Sequence, residues 1–190
     1  KGYEAEWEVY LAWFANLPLF LEMDGIRVVH ACWDDERIAF LNTIEWPLAK
    51  ETLLEAHRKG SDTWKAFEEV LKGKEICLPD GHYFIDKDGN KRTDCRSKWW
   101  IKPQGLTLEQ YLFHAPVTVR NIVLSSEYSS DGFSLNAPTV FFGHYWLDAE
   151  NGPVWQAPNV CCLDYSVAKK GKLVAYRHYF EQPNSDDKFV

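Results

Sequence analysis

Two apolar runs in this chain end on a histidine, and they narrow what it can fold into more than any other feature. Val140-Phe141-Phe142 stops at Gly143-His144, ahead of Tyr145-Trp146. Gly25-Ile26-Arg27-Val28-Val29 stops at His30, ahead of Ala31-Cys32-Trp33. A short apolar run closed in this way reads as a buried strand whose far end turns and presents an imidazole. Gly143 allows the backbone to pass close to whatever His144 faces. Neutral imidazole is the commonest metal ligand in proteins, so His30 and His144 are the candidate metal ligands. They lie 114 positions apart and can meet only in a folded site.

The segments around these strands have clear local signals. Trp7, Tyr10, Leu11 and Phe14 recur at helical spacing opposite Glu4, Glu6 and Glu8, which predicts a helix over 4–16. Asp24-Gly25 between apolar runs predicts a hairpin of strands 19–23 and 26–30, with Ile26, Val28 and His30 on one face. Pro47 suits a first helical position and Gly60 a stop. Ser61 caps a second helix that carries Trp64, Phe67, Val70 and Leu71 and closes at Gly73. Residues 76–100 read as a hairpin around Asp86-Lys87-Asp88-Gly89-Asn90. That run is superficially like a calcium loop but lacks the spaced carboxylates and terminal glutamate, and reads as a solvated turn. Thr107 with Gln110 forms a capping box for a short helix ended by Pro116. Strands are expected at 117–124, 139–142, 159–163 and 172–177, with a polar loop over 125–136 and a frayed tail from Gln182. The mixture implies a layered α/β protein in a single domain over 1–190.

Composition bounds the function. In 190 residues, 46% hydrophobic content and nine tryptophans supply a core for one domain. A net charge of -7 argues against broad contact with a phosphate backbone, so no nucleic-acid partner is expected. No apolar run is long enough to span a membrane. Five cysteines without a CxxC indicate neither a disulfide framework nor a zinc ribbon. Adjacent Cys161-Cys162 fits a buried strand of a reduced, cytoplasmic protein. The chain opens Lys1-Gly2-Tyr3 without an initiator methionine and runs straight into a helical pattern, which reads as a cleavage point or a boundary.

The remaining candidates have structural explanations. His57, His82, His114 and His178 read as solvated or packed. Trp33, Tyr145 and Trp146 could line a pocket, and equally pack at a core or its rim. Asp34-Asp35 suits a helix cap. GxGxxG, the Walker loop, GxSxG and HExxH are missing, and Ser125-Ser126 and Ser129-Ser130 have no histidine motif beside them. Arg96, Lys98 and Arg120 receive no role.

Leu17-Pro18-Leu19 leading to Arg27-Val28-Val29-His30-Ala31-Cys32-Trp33-Asp34 resembles the later part of the calcineurin-like metallophosphoesterases. The nearest branch is that of bacterial proteins related to symmetrical dinucleoside tetraphosphatases and phosphoprotein phosphatases. The similarity continues through Leu71-Lys72-Gly73-Lys74-Glu75, Phe84-Ile85-Asp86-Lys87-Asp88-Gly89 and Lys98-Trp99-Trp100. It resumes at Phe141-Phe142-Gly143-His144-Tyr145-Trp146 and Cys162-Leu163-Asp164-Tyr165-Ser166-Val167-Ala168-Lys169, and ends at Gly171-Lys172-Leu173-Val174-Ala175-Tyr176-Arg177. The resemblance implies a truncated calcineurin-like α/β/β/α sandwich and a metal-dependent phosphoesterase. It further implies two divalent ions (Mn, Fe, Zn or similar), with His30 and His144 as ligands of the second. Substrates of that family carry phosphate, on small molecules or on proteins.

The family's early motifs GDxHG, GDxxDRG and GNH[DE] do not occur, and Asp80-Gly81-His82 has the wrong order and spacing to replace them. The expectation is therefore the C-terminal portion of such a domain, with catalytic and substrate-binding residues unassigned and little hydrolysis by these residues alone. Exposed apolar strand edges, a dimer or a complementing N-terminal fragment follow from the same reading. The alternative is a phosphoesterase-like binding or regulatory module without a metal centre.

Overall fold

Asp24 and Gly25 both take left-handed backbone, with φ of 47° and 78°, the turn chemistry that closes a two-residue hairpin. The computed structural model describes residues 2–86, 89–125, 128, 130–150 and 152–190. Lys1, Lys87 and Asp88 of the 86–90 turn, and Ser126 and Ser129, lie outside the described residues.

In chain order, α1 (Glu4–Asn16) precedes the hairpin strands β1 (Phe20–Met23) and β2 (Ile26–Val29). Three helices follow, α2 (Asp35–Leu41), α3 (Lys50–Glu55) and α4 (Asp62–Lys72). Two nested antiparallel pairs come next: β3 (Glu75–Cys77) with β6 (Asp94–Arg96), enclosing β4 (Phe84–Ile85) with β5 (Lys91–Arg92). After α5 (Leu108–Tyr111) come β7 (Thr139–Phe142), β8 (Val160–Cys162) and the antiparallel pair β9 (Asp164–Tyr165) and β10 (Lys172–Leu173).

The main sheet has the order β1-β2-β7-β8, antiparallel within the hairpin and parallel from β2 to β7 and β7 to β8. Three neighbouring strands thus run the same way and finish at one end of the sheet, at His30, Gly143-His144 and Leu163-Asp164. Two bonds extend the ladder past the strand ends, Gly143 N–H to His30 O at 2.9 Å and Leu163 N–H to Phe142 O at 2.8 Å. This mixed α/β architecture is what positions the site.

Alternation assigns the faces. Val29, Val140, Phe142, Val160 and Cys162 share one face and pack with Ile38 and Leu41 of α2, Ala66 and Val70 of α4, and Trp99 and Trp100. On the opposite face Phe141 meets the rings of Trp155, Tyr176 and His178. A second cluster gathers Leu78, Cys95, Leu108, Tyr111, Leu112, Val119 and Leu124. All five cysteines are free, and Cys161 and Cys162 are buried in β8 as expected.

Several boundaries differ from expectation. Pro47 follows a cis peptide, and α3 starts three residues later, after Ala49. It ends at Glu55, well before Gly60, because residues 56–61 fold into turns closed by Arg58 N–H on Glu55 O and Ser61 Oγ on Glu55 O. The α5 helix has its capping box but stops at Tyr111, since Leu112 is extended. Residues 117–124 are not a strand: after Pro116, Val117–Val119 form a 3-10 turn. The carbonyls of Arg120 and Ile122 then accept the free N–H groups of Glu109 and Leu108 at the start of α5. Of the expected strand 172–177, only Lys172–Leu173 pairs with β9. The tail is not frayed. Ala175 and Val190 exchange two backbone bonds, and Asp186 accepts Trp155 N–H at 3.1 Å.

The α1 helix forms over the expected residues, yet none of its residues is buried. Apolar groups surround its axis (Trp7, Val9, Tyr10, Leu11, Trp13 and Phe14), so no single stripe faces the core. Trp7 is 56% exposed. At the β1 edge of the sheet Leu21 and Met23 are exposed. The outer side of β8 is covered instead by Gln156 N–H on Val160 O. Among the described residues no helix is long and apolar enough to cross a membrane.

Ser61 Oγ accepts Trp64 N–H at 3.0 Å, satisfying one orphan donor of α4. Ser61→Ala is expected to cost about 0.5–2 kcal/mol, readable as a lower denaturation midpoint with an unchanged slope.

Candidate functional site

The ends of β2 and β7 bring His30 and His144 together, with ring centroids 5.0 Å apart and planes tilted by 46°. His30 is exposed and His144 half-buried. The backbone beyond each strand is fixed. Ala31 N–H donates to Val70 O at 3.0 Å, which ties the turn after His30 to α4, and Trp99 Nε1 donates to Ala31 O at 3.0 Å, which ties it to the segment after β6. Beyond β7, Tyr145 is fully buried and its hydroxyl donates to Ser97 O at 2.8 Å.

His144 itself takes left-handed backbone, φ 67°, a conformation a non-glycine residue holds only when its surroundings impose it. The glycine expectation needs correcting here. A Cβ on Gly143 would sit 3.6 Å from Asp164 Cβ and from His30 O, ordinary contact, so the conformational demand falls on His144 rather than Gly143. The tight passage is at Gly73, φ 92°, where a Cβ would lie 2.8 Å from the Tyr145 hydroxyl and 3.1 Å from Arg96 Cδ.

The pair opens on a hollow of about 420 Å³, lined also by Val28, Phe141 and Asp164. Asp164 stands at the carboxyl end of β8, beside the two histidines, with Oδ1 accepting Ser166 N–H at 3.0 Å. Arg96 approaches from β6. Its Nη2 lies 3.2 Å from His144 Nε2 and its Nη1 3.4 Å from His144 O, and its guanidinium sits 5.3 Å from the centre of the Tyr145 ring. Arginine only donates, so His144 Nε2 must accept, and the ring proton, where there is one, sits on Nδ1. Burial lowers the His144 pKa to about 4, helped by the Arg96 charge and by His30, against the pull of Asp164. His144 is therefore neutral at pH 7. Arg96 Nε is buried without a partner, and among the described residues no carboxylate pairs with this guanidinium.

The two imidazoles fit one cation in spacing. With metal–nitrogen bonds of about 2.0–2.1 Å, two imidazoles on one tetrahedral ion hold their centroids about 5 Å apart. They do not amount to a full ligand set: among the described residues no group of three His, Cys, Asp or Glu side chains converges. Catalytic centres normally use at least three protein ligands. Arg96 also competes, because a cation on Nε2 takes the lone pair that Arg96 uses. A cation on Nδ1 instead puts the proton on Nε2, facing an N–H donor. Either way Arg96 must withdraw from His144.

No protein-family model, curated protein or solved structure matches this chain. The reading of the site accordingly rests on its geometry.

The other sequence candidates fall where packing or solvation explains them. Asp34 Oδ1 caps α2 by accepting Arg37 N–H at 3.0 Å, and Oδ2 pairs with Lys74 at 3.0 Å. Burial alone would raise its pKa, but the Arg37 N–H and Lys74 outweigh that and hold it below the ordinary value. Trp33 and Tyr145 are core residues, whereas Trp146 remains 43% exposed. His57 Nδ1 lies 2.7 Å from Leu53 O of the preceding helix, α3. His114 is pushed to lower pKa by burial, then by Arg96 and Lys98. Asp164 and Arg96 are the site residues that sequence reasoning passed over. The alignment of three parallel strand ends would have pointed to Asp164. Arg96 gives no local signal.

Proposed function

We propose that this chain carries the histidine half of a divalent-cation centre in a calcineurin-like metallophosphoesterase that hydrolyses phosphomonoesters or phosphoanhydrides. The reading is supported by the meeting of His30 and His144 at the ends of adjacent parallel strands, 5.0 Å between centroids. Ligand sites of open α/β sheets collect at that end. His30 and His144 would hold a divalent ion there, which would supply Lewis-acid activation of water and charge neutralisation for a phosphate.

The chain's own groups account for the rest. His30 and His144 offer uncharged lone pairs, which leave a cation's charge undiminished. Arg96, released from His144, presents a planar fork without a carboxylate partner to phosphate oxygens. A two-ion centre of Mn, Fe or Zn would need ligands beyond His30 and His144, since among the described residues no third His, Cys, Asp or Glu side chain converges with them. The substrate is a small phosphate compound or a phosphoprotein.

Calorimetric titration of the metal-free protein with Mn2+ or Zn2+ at pH 7 tests this. One cation per chain is expected, with affinity at least about tenfold weaker in His30→Ala and in His144→Ala and unchanged in His57→Ala. Binding that survives both site substitutions sinks the proposal. A second reading, an anion-binding or regulatory module without a metal centre, is favoured by Arg96 already holding His144 Nε2. Phosphate binding without cation uptake in the same titration selects it.

A further inference from the structure

An apolar surface runs from α1 to the free edge of the main sheet. Phe14 and Leu17 share a hollow of about 460 Å³ with Leu19 and Leu21 at β1 and with Val28 and Leu48. The α1 helix is tied at its last turn, where Leu48 N–H donates to Ala15 O at 3.0 Å, and none of its residues is buried. Its large apolar side chains, with those of Leu17, Leu21 and Met23, keep 41–68% of their surface exposed. Together they present on the order of 900 Å² to water, where monomers rarely leave contiguous apolar patches beyond a few hundred Å². A standard interface takes about 800 Å² from each partner and a stable one at least about 600 Å², so covering roughly two-thirds of this surface is enough.

The edge itself is self-complementary. β1 is the outer strand of the sheet, and its Leu21 and Met23 face Val28 and Ile26 across the Asp24-Gly25 turn. In a hairpin closed this way those pairs exchange the ladder bonds, so Phe20 and Glu22 turn their N–H and C=O outward. Among the described residues no other backbone group meets them. An antiparallel second copy centred on Leu21 sets Phe20 against the second copy's Glu22 and Leu21 against the second copy's Leu21. Each outward group then has a partner, and an apolar pair closes on the twofold axis. Centring the pairing on Glu22 instead would set two carboxylates opposite each other. In the Leu21 register the second copy's Met23 arrives beside Leu19, at the hollow, which a flexible thioether is suited to fill. An anionic lipid surface suits the face poorly, because α1 carries Glu4, Glu6 and Glu8 and no lysine or arginine.

We infer that α1 and β1 form a twofold interface between two copies of this chain, with the main sheets joined edge to edge through β1. The interface does not require a cation at His30 and His144.

Sedimentation velocity over a dilution series tests this, with a dimer expected to dissociate at a Kd below about 100 µM. Leu21 is 44% exposed in the single chain, so the fold tolerates charge there, which an unchanged circular dichroism spectrum checks. Leu21→Lys and Leu21→Glu should each weaken the dimer at least about tenfold, since each places like charges on the axis. Mixed together, the two variants should recover a dimer, because opposite charges then meet. Glu22→Pro removes an outward donor at an edge position and should weaken the dimer by a similar factor. A wild-type monomer at about 100 µM, open-ended association in place of a dimer, a Leu21→Lys variant that dimerises like wild type, or a mixture that stays monomeric would each overturn the inference. So would a monomer that binds phosphatidylcholine vesicles, which would give the face to lipid.

Discussion

Replacing Tyr145 with alanine should destabilise the protein by about 3–5 kcal/mol, a large part of the stability of an ordinary domain. The side chain has no exposed surface, and its ring meets Phe113, Phe142 and Trp100 edge-on, at 4.9, 5.3 and 5.5 Å between centroids. Removing it leaves a cavity among rigid aromatic neighbours that have little freedom to close it. The hydroxyl also satisfies Ser97 O from inside the core. Tyr145→Phe keeps the packing and loses that one bond, so it should cost only about 0.5–1.5 kcal/mol.

Urea denaturation of both variants separates the two terms. A Tyr145→Ala midpoint indistinguishable from wild type would mean that the ring is not packed as described. The consequence for the site is direct, because Tyr145 lies between His144 and Trp146 and both hold left-handed backbone. Once that anchor is gone, neither conformation has the packing that imposes it.

Local chemistry made much of this fold readable in the sequence. Asp24-Gly25 specified the hairpin, and Ser61 with Gly73 bracketed α4, because those residues act on the backbone within a turn. The runs ending at His30 and His144 were legible as strands for the same reason. Their parallel pairing was not, since nothing local links Val28 to Phe141, its partner in the register. Long-range satisfaction of backbone groups also defeated propensity. Val117, Val119, Ile122 and Val123 suit a strand, but the carbonyls between them are taken by the start of α5. The polar tail read as frayed, yet Asn184 reaches Pro158 O at 3.0 Å and Val190 pairs with Ala175. Arg96 was invisible as a site residue because its partner stands 48 positions away, just past the end of a strand in another sheet. The α1 helix was misjudged for a different reason. Its Trp7, Tyr10, Leu11 and Phe14 do share a stripe, but Val9 and Trp13 fill the opposite side and leave no polar face to turn outward.

Arg96→Met is expected to raise the pKa of His144 above its value of about 4 while leaving it short of the ordinary 6.5. Burial is the larger cause of the depression and survives the substitution, whereas the second cause, the guanidinium charge, is removed. In the wild-type protein the unfolded chain binds a proton at this histidine below about pH 6.5, and the folded chain does not until about pH 4. Protons taken up only by the unfolded state favour unfolding. The His144 contribution to stability is thus complete above pH 6.5 and lost as the pH falls towards 4, and the window narrows in Arg96→Met. Histidine ring resonances followed by NMR from pH 3 to 8 give the pKa directly. An unchanged value would remove Arg96 from the account of His144. The same variant should bind Mn2+ or Zn2+ more tightly than wild type, because the donor that occupies His144 Nε2 is gone. Tighter proton binding at His144 accompanies that gain, so the advantage should be largest at pH 7 and shrink as the solution is acidified. Equal cation affinity in the two proteins at pH 7 would mean that Arg96 and the ion do not contend for the same lone pair.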